Sequence, residues 1–160
     1  MYQKKGVLMK EYIAKRVHEL YWKEDINCAR TTLACLSELF EISIEPQTSW
    51  SAVGLHGAGG YRAQCGLVEG TLMFIGIYLH AIGKTEDEIV SACYNFAFAF
   101  DREFGSLRCF ELRPMGFSES DPPHMCENLT CKGIGFAYQY ILEITKKETK
   151  TNLLIPRDLN

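Results

Sequence analysis

Apolar residues return every three or four positions through most of this chain, and no stretch alternates apolar with polar residues for more than a few positions. That spacing matches a helix at about 3.6 residues per turn, not the two-residue period of a strand. The pattern predicts an all-α chain: a single-domain helical bundle of about five to six helices over residues 1–148, with a C-terminal tail at 149–160. A length of 160 residues is enough to bury one sizeable core.

The helices can be placed from their apolar faces and their end signals. Val7, Leu8, Tyr12, Ile13, Val17, Leu20 and Tyr21 put a first amphipathic helix over 7–23. Asn27 suits the N-cap of a second, over about 28–41, with Ala29, Leu33, Leu36, Leu39 and Phe40 inward. Ile44-Glu45-Pro46 ends that element, and Ser49 caps a short helix around 50–56. Gly83 stops a helix over 66–82. Thr85 and Glu88 form a capping-box signature for a helix over 86–104, which Gly105 terminates. Pro114, Pro122 and Pro123 mark a loop, and a last helix spans about 127–148 with Ile134, Ala137, Ile141 and Leu142 on one face. In the tail, Leu153-Leu154-Ile155 could dock on a neighbour. The stretch Gly54-Leu55-His56-Gly57-Ala58-Gly59-Gly60 holds four glycines in seven residues, so its backbone must turn tightly or approach something closely.

Several function classes are disfavoured. The net charge of −3 supplies no basic field for nucleic acid, and the pairs Lys4-Lys5 and Lys146-Lys147 are short enough to be solvated surface. The first apolar run is broken by Lys10 and Glu11, unlike a signal peptide. Residues 67–82 are the longest apolar stretch, but they contain Glu69 and His80 and are too short to span a membrane. No membrane partner and a cytoplasmic location are expected. Tyr94, Phe96, Phe98, Phe100 and Phe104 cannot all face one side of a helix, which makes a homodimer plausible.

The seven cysteines carry the functional signal. Their odd number argues against a secretory disulfide framework. Cys35 and Cys93 lie in apolar helical stretches, where a thiol is usually a small hydrophobe. Cys28, Cys65, Cys109, Cys126 and Cys131 lie at helix starts, beside glycine turns or close to a turn. Helix N-termini favour the thiolate, and Arg30, Arg62, Arg108 and Lys132 stand near Cys28, Cys65, Cys109 and Cys131 in sequence. A thiolate is a nucleophile, a redox couple or a metal ligand. Cys126 and Cys131 are five apart, a spacing not diagnostic of zinc. Glu69, one turn after Cys65, is a candidate carboxyl with a raised pKa. His56 and His124 are candidate ligands or substrate contacts, weighed against a structural role. Gly57–Gly60 lacks the Gly-Lys-Ser/Thr ending of a phosphate loop.

Asn27-Cys28-Ala29, a Gly-Gly stretch leading to Cys65-Gly66, then Phe104-Gly105-Ser106-Leu107-Arg108-Cys109, then a late cysteine opening a helix, resemble the C-GCAxxG-C-C family of redox-active proteins in order and spacing over 27–143. Gln64–Gly70 matches the family's central motif only loosely. The resemblance implies that Cys28, Cys65, Cys109 and Cys131 are the reactive set, with Cys126 either an extra thiol or the replacement for Cys131. It implies thiol-based redox or electron-transfer activity, by thiolate attack and disulfide exchange with a redox partner protein. The alternative is a metal-binding module, an iron–sulfur cluster or zinc held by Cys28, Cys65, Cys109, Cys131 and Cys126. A third reading is a helical interaction protein whose cysteines only pack. Of the first two, the neighbouring arginines favour the disulfide. The sulfurs of Cys28, Cys65 and Cys109 are expected to meet, with Cys131 or Cys126 adjoining.

Overall fold

The computed structural model of the chain describes residues 2–152, with side chains described within 6–146. Among the described residues there are eight helices and no strand: α1 (Tyr2–Trp22), α2 (Cys28–Phe40), α3 (Pro46–Ser51), α4 (Gly57–Gly60), α5 (Gly66–Ala81), α6 (Glu86–Phe104), α7 (Cys109–Leu112) and α8 (Glu127–Asn152). The chain is all-α as expected. The count exceeds five to six because the glycine stretch and the Cys109 turn each close as a four-residue helix. The helical backbone of α8 continues past residue 148, and Leu153-Leu154-Ile155 lies outside the described residues.

The end signals act locally. Asn27 caps α2, its side-chain oxygen accepting from the Arg30 N–H at 3.0 Å. Thr85 and Glu88 form a complete capping box on α6. Gly105 ends that helix at φ 85°, a conformation glycine adopts without a Cβ penalty. The third helix is displaced from its expected position. It runs Pro46–Ser51 with Pro46 in its first turn, where the missing N–H costs nothing, so Ser49 lies inside it and does not cap it.

Helix α5 is central. Leu67, Val68, Phe74, Ile75 and Leu79 are buried along it, and its most extensive partner is α2. Gly66 and Gly70 allow this approach. A Cβ at Gly70 would strike the Ala29 carbonyl oxygen and come within 3.0 Å of Thr32 Cβ. The two backbones therefore touch near the starts of both helices, bringing the N-termini of α2 and α5 to one end of the bundle. Ile13, Val17, Leu20 and Tyr21 of α1 pack from one side, with Ile134, Ala137 and Ile141 of α8. Val7 and Leu8 were expected on that apolar face but are 55% and 64% exposed. On α6 the aromatic stripe divides. Phe96 and Phe100 are buried against Phe136, whereas Tyr94 and Phe98 are 72% and 56% exposed. No helix among the described residues is long and apolar enough to cross a membrane.

Candidate functional site: a four-thiol cavity

The first thiol is set by Asn27. Besides capping α2, its Nδ2 donates to the carbonyls of Val53 at 2.7 Å and Ala52 at 3.3 Å. One side chain thus ties the start of α2 to the chain leaving α3. His56 Nδ1 lies 2.9 Å from the same Val53 carbonyl, which can only accept, so Nδ1 donates there. Cys28, the first residue of α2, then lies against Gly66.

The second and third thiols are tied to one another. Gln64 and Arg108 form an isolated antiparallel bridge. Around it, the Cys65 N–H donates to the Leu107 carbonyl at 2.8 Å, the Cys109 N–H to the Ala63 carbonyl at 2.7 Å, and the Phe110 N–H to the Arg62 carbonyl at 3.2 Å. These bonds clamp two segments that are distant in sequence so that Cys65 and Cys109 share one wall. The glycine stretch makes room. Gly57, Ala58, Gly59 and Gly60 all have positive φ, from 54° to 88°, giving a left-handed turn. A Cβ at Gly57 would lie 3.2 Å from Cys109 Cβ and 3.2 Å from Arg62 Cα. The close approach expected of these glycines is therefore made to Cys109.

The fourth thiol comes from the proline loop. Asp121 organises that loop, its Oδ2 accepting from the Ser118 N–H at 2.9 Å and pairing with Arg113 at 3.1 Å. His124, at φ 60°, stacks on Tyr21 with ring centroids 5.0 Å apart and meets Trp22 edge-on at 4.8 Å. This brings Cys126 over the start of α2.

Cys28, Cys109 and Cys126 line one cavity of about 340 Å³, together with His56, His124 and Arg62. Cys65 lies just behind it, 5% exposed. Within the set Cys28, Cys65, Cys109 and Cys126, every pair is close enough for one thiolate to raise the pKa of the other. Burial is the larger cause throughout. It pushes Cys28 and Cys65 up to about 12, the neighbouring thiols adding to it. The amides of Leu67 and Val68 oppose the shift at Cys65. Burial also raises Cys126, with Cys109 adding and Arg113 opposing. Cys109 is raised by burial alone, and both Arg113 and Arg62 oppose it. Cys109 is thus the thiol whose rise two guanidiniums, Arg113 and Arg62, oppose, with no neighbouring thiol adding to it.

Two expectations from sequence neighbours are corrected here. Helix-start cysteines were expected to have lowered pKa values, but desolvation outweighs the backbone amides and every one of these thiols is raised. Arg62 acts on Cys109, not on its sequence neighbour Cys65, because the bridge crosses the two segments. Arg108 instead pairs with Glu111, and Arg30 stacks on Trp50. Arg113 is a site residue that the sequence reading misses, although it falls one helical turn after Cys109 and that spacing could have found it.

The remaining cysteines lie elsewhere. Cys131 lines a different groove of about 590 Å³ with Met9, Phe104 and Phe136, between α1, α6 and α8. Its charged neighbour is Glu127, and burial with that carboxylate raises its pKa. Cys35 is fully buried and pushed up to about 12 by desolvation. Cys93 reaches toward the Leu72 carbonyl, sulfur to oxygen 4.0 Å. The Glu69 carboxyl is held up by burial, with no thiol acting on it. The four thiols would supply soft donors for zinc or an iron–sulfur cluster, but among the described residues no three His, Cys, Asp or Glu side chains are arranged to share one metal ion. As placed, these side chains do not form a metal-ligand set.

No curated protein and no solved structure matches the chain. Residues 26–140 match a family described as "Putative redox-active protein (C_GCAxxG_C_C)", a span that begins beside Asn27 and takes in all seven cysteines. With most of its length and all four of the clustered thiols inside that match, the chain belongs to the C_GCAxxG_C_C family.

Proposed function

We propose that this chain is a thiol–disulfide redox protein in which Cys109 is the attacking thiol and Cys126 the thiol that resolves it. The observation that carries the reading is the shared cavity: Cys109, with Arg62 and Arg113 beside it, opens onto the same space as Cys126. Exchange needs a thiolate that forms at moderate cost, access for the incoming sulfur, and a second thiol within reach. Cys109 has the access and the cations, and Cys126 shares Arg113. Cys28 and Cys65 are too desolvated to attack first. They stand behind the pair as thiols to which the disulfide could pass. In this assignment Cys126 takes the place that the family pattern gave to Cys131.

Mild oxidation of the reduced protein with a stoichiometric disulfide tests this. The expected product has lost two hydrogens, and peptide mapping finds Cys109 joined to Cys126. Cys109→Ser and Cys126→Ser should each abolish that product, while Cys131→Ser retains it. A Cys131-containing disulfide would overturn the assignment. Stoichiometric iron or zinc in protein purified without oxygen, released by Cys109→Ser, would overturn the redox-thiol reading itself.

A further inference from the structure

The cavity in front of Cys109 carries a surplus positive charge where it meets the thiol. Arg62 and Arg113 both line it, and both guanidiniums lie on the ring of Phe117, at 4.0 and 4.4 Å from its centroid. Arg113 is neutralised by Asp121 at 3.1 Å. Arg62 has no carboxylate within ion-pair distance among the described residues. The acid that lines the cavity is Asp25, but its side chain is 91% exposed and faces His124 Nε2 at 3.7 Å. Stacking on Phe117 gives the Arg62 guanidinium a defined position and leaves its donors free for an incoming anion. A volume of about 340 Å³ lies at the low end of small-molecule pockets and suits a compact molecule better than a protein surface.

We propose that this cavity takes a small, negatively charged organic disulfide, which Arg62 holds with its sulfur–sulfur bond against Cys109. The inference rests on the thiol-redox reading above and adds its substrate class. The Cys109 thiolate attacks one substrate sulfur. The new Cys109–sulfur bond forms as the substrate sulfur–sulfur bond breaks, and the first half leaves as a thiolate. The Cys126 thiolate then attacks the Cys109 sulfur, closes the Cys109–Cys126 disulfide and expels the second half. Two protein thiols give up two electrons, the substrate disulfide accepts them, and the protons of Cys109 and Cys126 end on the two released thiols.

Three disulfides of similar size and different charge test the proposal: dithiodipropionate, hydroxyethyl disulfide and cystamine, which are anionic, neutral and cationic. Each is mixed with the reduced protein, disulfide formation is followed by mass, and each rate is divided by the rate of the same reagent with 2-mercaptoethanol. The normalised preference for the anionic over the neutral reagent should be about tenfold, reverse for the cationic one, and shrink as salt is added. In Arg62→Gln the preference should collapse toward unity. In Arg108→Gln, whose guanidinium pairs with Glu111 outside this cavity, it should persist. Equal normalised rates in the wild-type protein, or a preference intact in Arg62→Gln, would overturn anion selection while leaving the redox reading standing. Formation of no protein disulfide with any of the three would overturn both. If Arg62→Gln does not fold, the salt series on the wild-type protein decides.

Discussion

The thiol of Cys28 fills the space in which a side chain on Gly66 would begin, and the Leu55 carbonyl and the Ala29 N–H close the same space at 2.8 and 2.9 Å. Two of these three obstacles are backbone and cannot rotate away. Gly66→Ala should therefore lower the unfolding free energy by about 1–3 kcal/mol in urea titrations and displace Cys28, raising its alkylation rate. Gly76 lies in the same helix, and a Cβ placed there would meet nothing within 4 Å. Gly76→Ala should instead stabilise by about 0.5–1 kcal/mol. Equal effects would show that close packing of α2 on α5 does not set the site.

The thiols should react in order of their cations and their burial. In a mass-mapped alkylation course on native, reduced protein, Cys109 should lead and Cys126 follow, with Cys28, Cys65 and Cys35 far slower. Because burial holds even Cys109 above the ordinary thiol range, its rate should still be rising at pH 9. A rate already level at neutral pH would contradict that ordering of effects.

Alkali should unfold the protein through its enclosed thiols. Cys28, Cys35 and Cys65 ionise near 9 in an unfolded chain and at about 12 in the folded one. The folded state keeps these protons longer, so the stability they protect is complete below pH 9 and is lost as pH rises toward 12. Each contributes a slope of about 1.4 kcal/mol per pH unit in that window. Cys35→Ala should lower stability at neutral pH through its cavity, yet flatten the alkaline loss by about that slope. Denaturant midpoints measured at several pH values would show an unchanged slope if Cys35 does not titrate this way.

Asn27 joins stability to the site, whereas Thr85 has a cap alone. Asn27→Ala removes the cap on α2 and the bond to the Val53 carbonyl at 2.7 Å. It should cost about 1–2 kcal/mol and quicken Cys28 alkylation. Thr85→Ala breaks the capping box on α6, which contributes none of the four clustered thiols, at a cost of about 1 kcal/mol, and should leave the alkylation rates of Cys28, Cys65, Cys109 and Cys126 unchanged. Matching reactivity in the two variants would remove Asn27 from the site's framework.

The features legible in the sequence are the local ones. Helical period, the Asn27 cap, the Thr85 and Glu88 box and the stop at Gly105 each depend on residues within about one turn, and each appears where the sequence places it. The division of the cysteines is partly legible for the same reason, since Cys35 lies on the buried face of α2. Pro46 reads as a stop in the sequence and is a start in the fold, because proline fits both the end of one helix and the first turn of the next.

Long-range packing decided the rest. Only the touching backbones of α2 and α5 bring Cys28 beside the start of α5, and only the Gln64–Arg108 bridge gives Arg62 to Cys109 instead of Cys65. The choice between Cys126 and Cys131 could not be read from spacing. The residues sit on the approach to α8 and in its second turn, and the direction in which α8 enters the bundle turns one toward the thiol cavity and the other toward the groove beside Phe104. The sign of the thiol pKa shifts was tertiary as well. A helix start is a local feature that favours the thiolate, whereas the desolvation that outweighs it comes from side chains delivered by every other part of the fold.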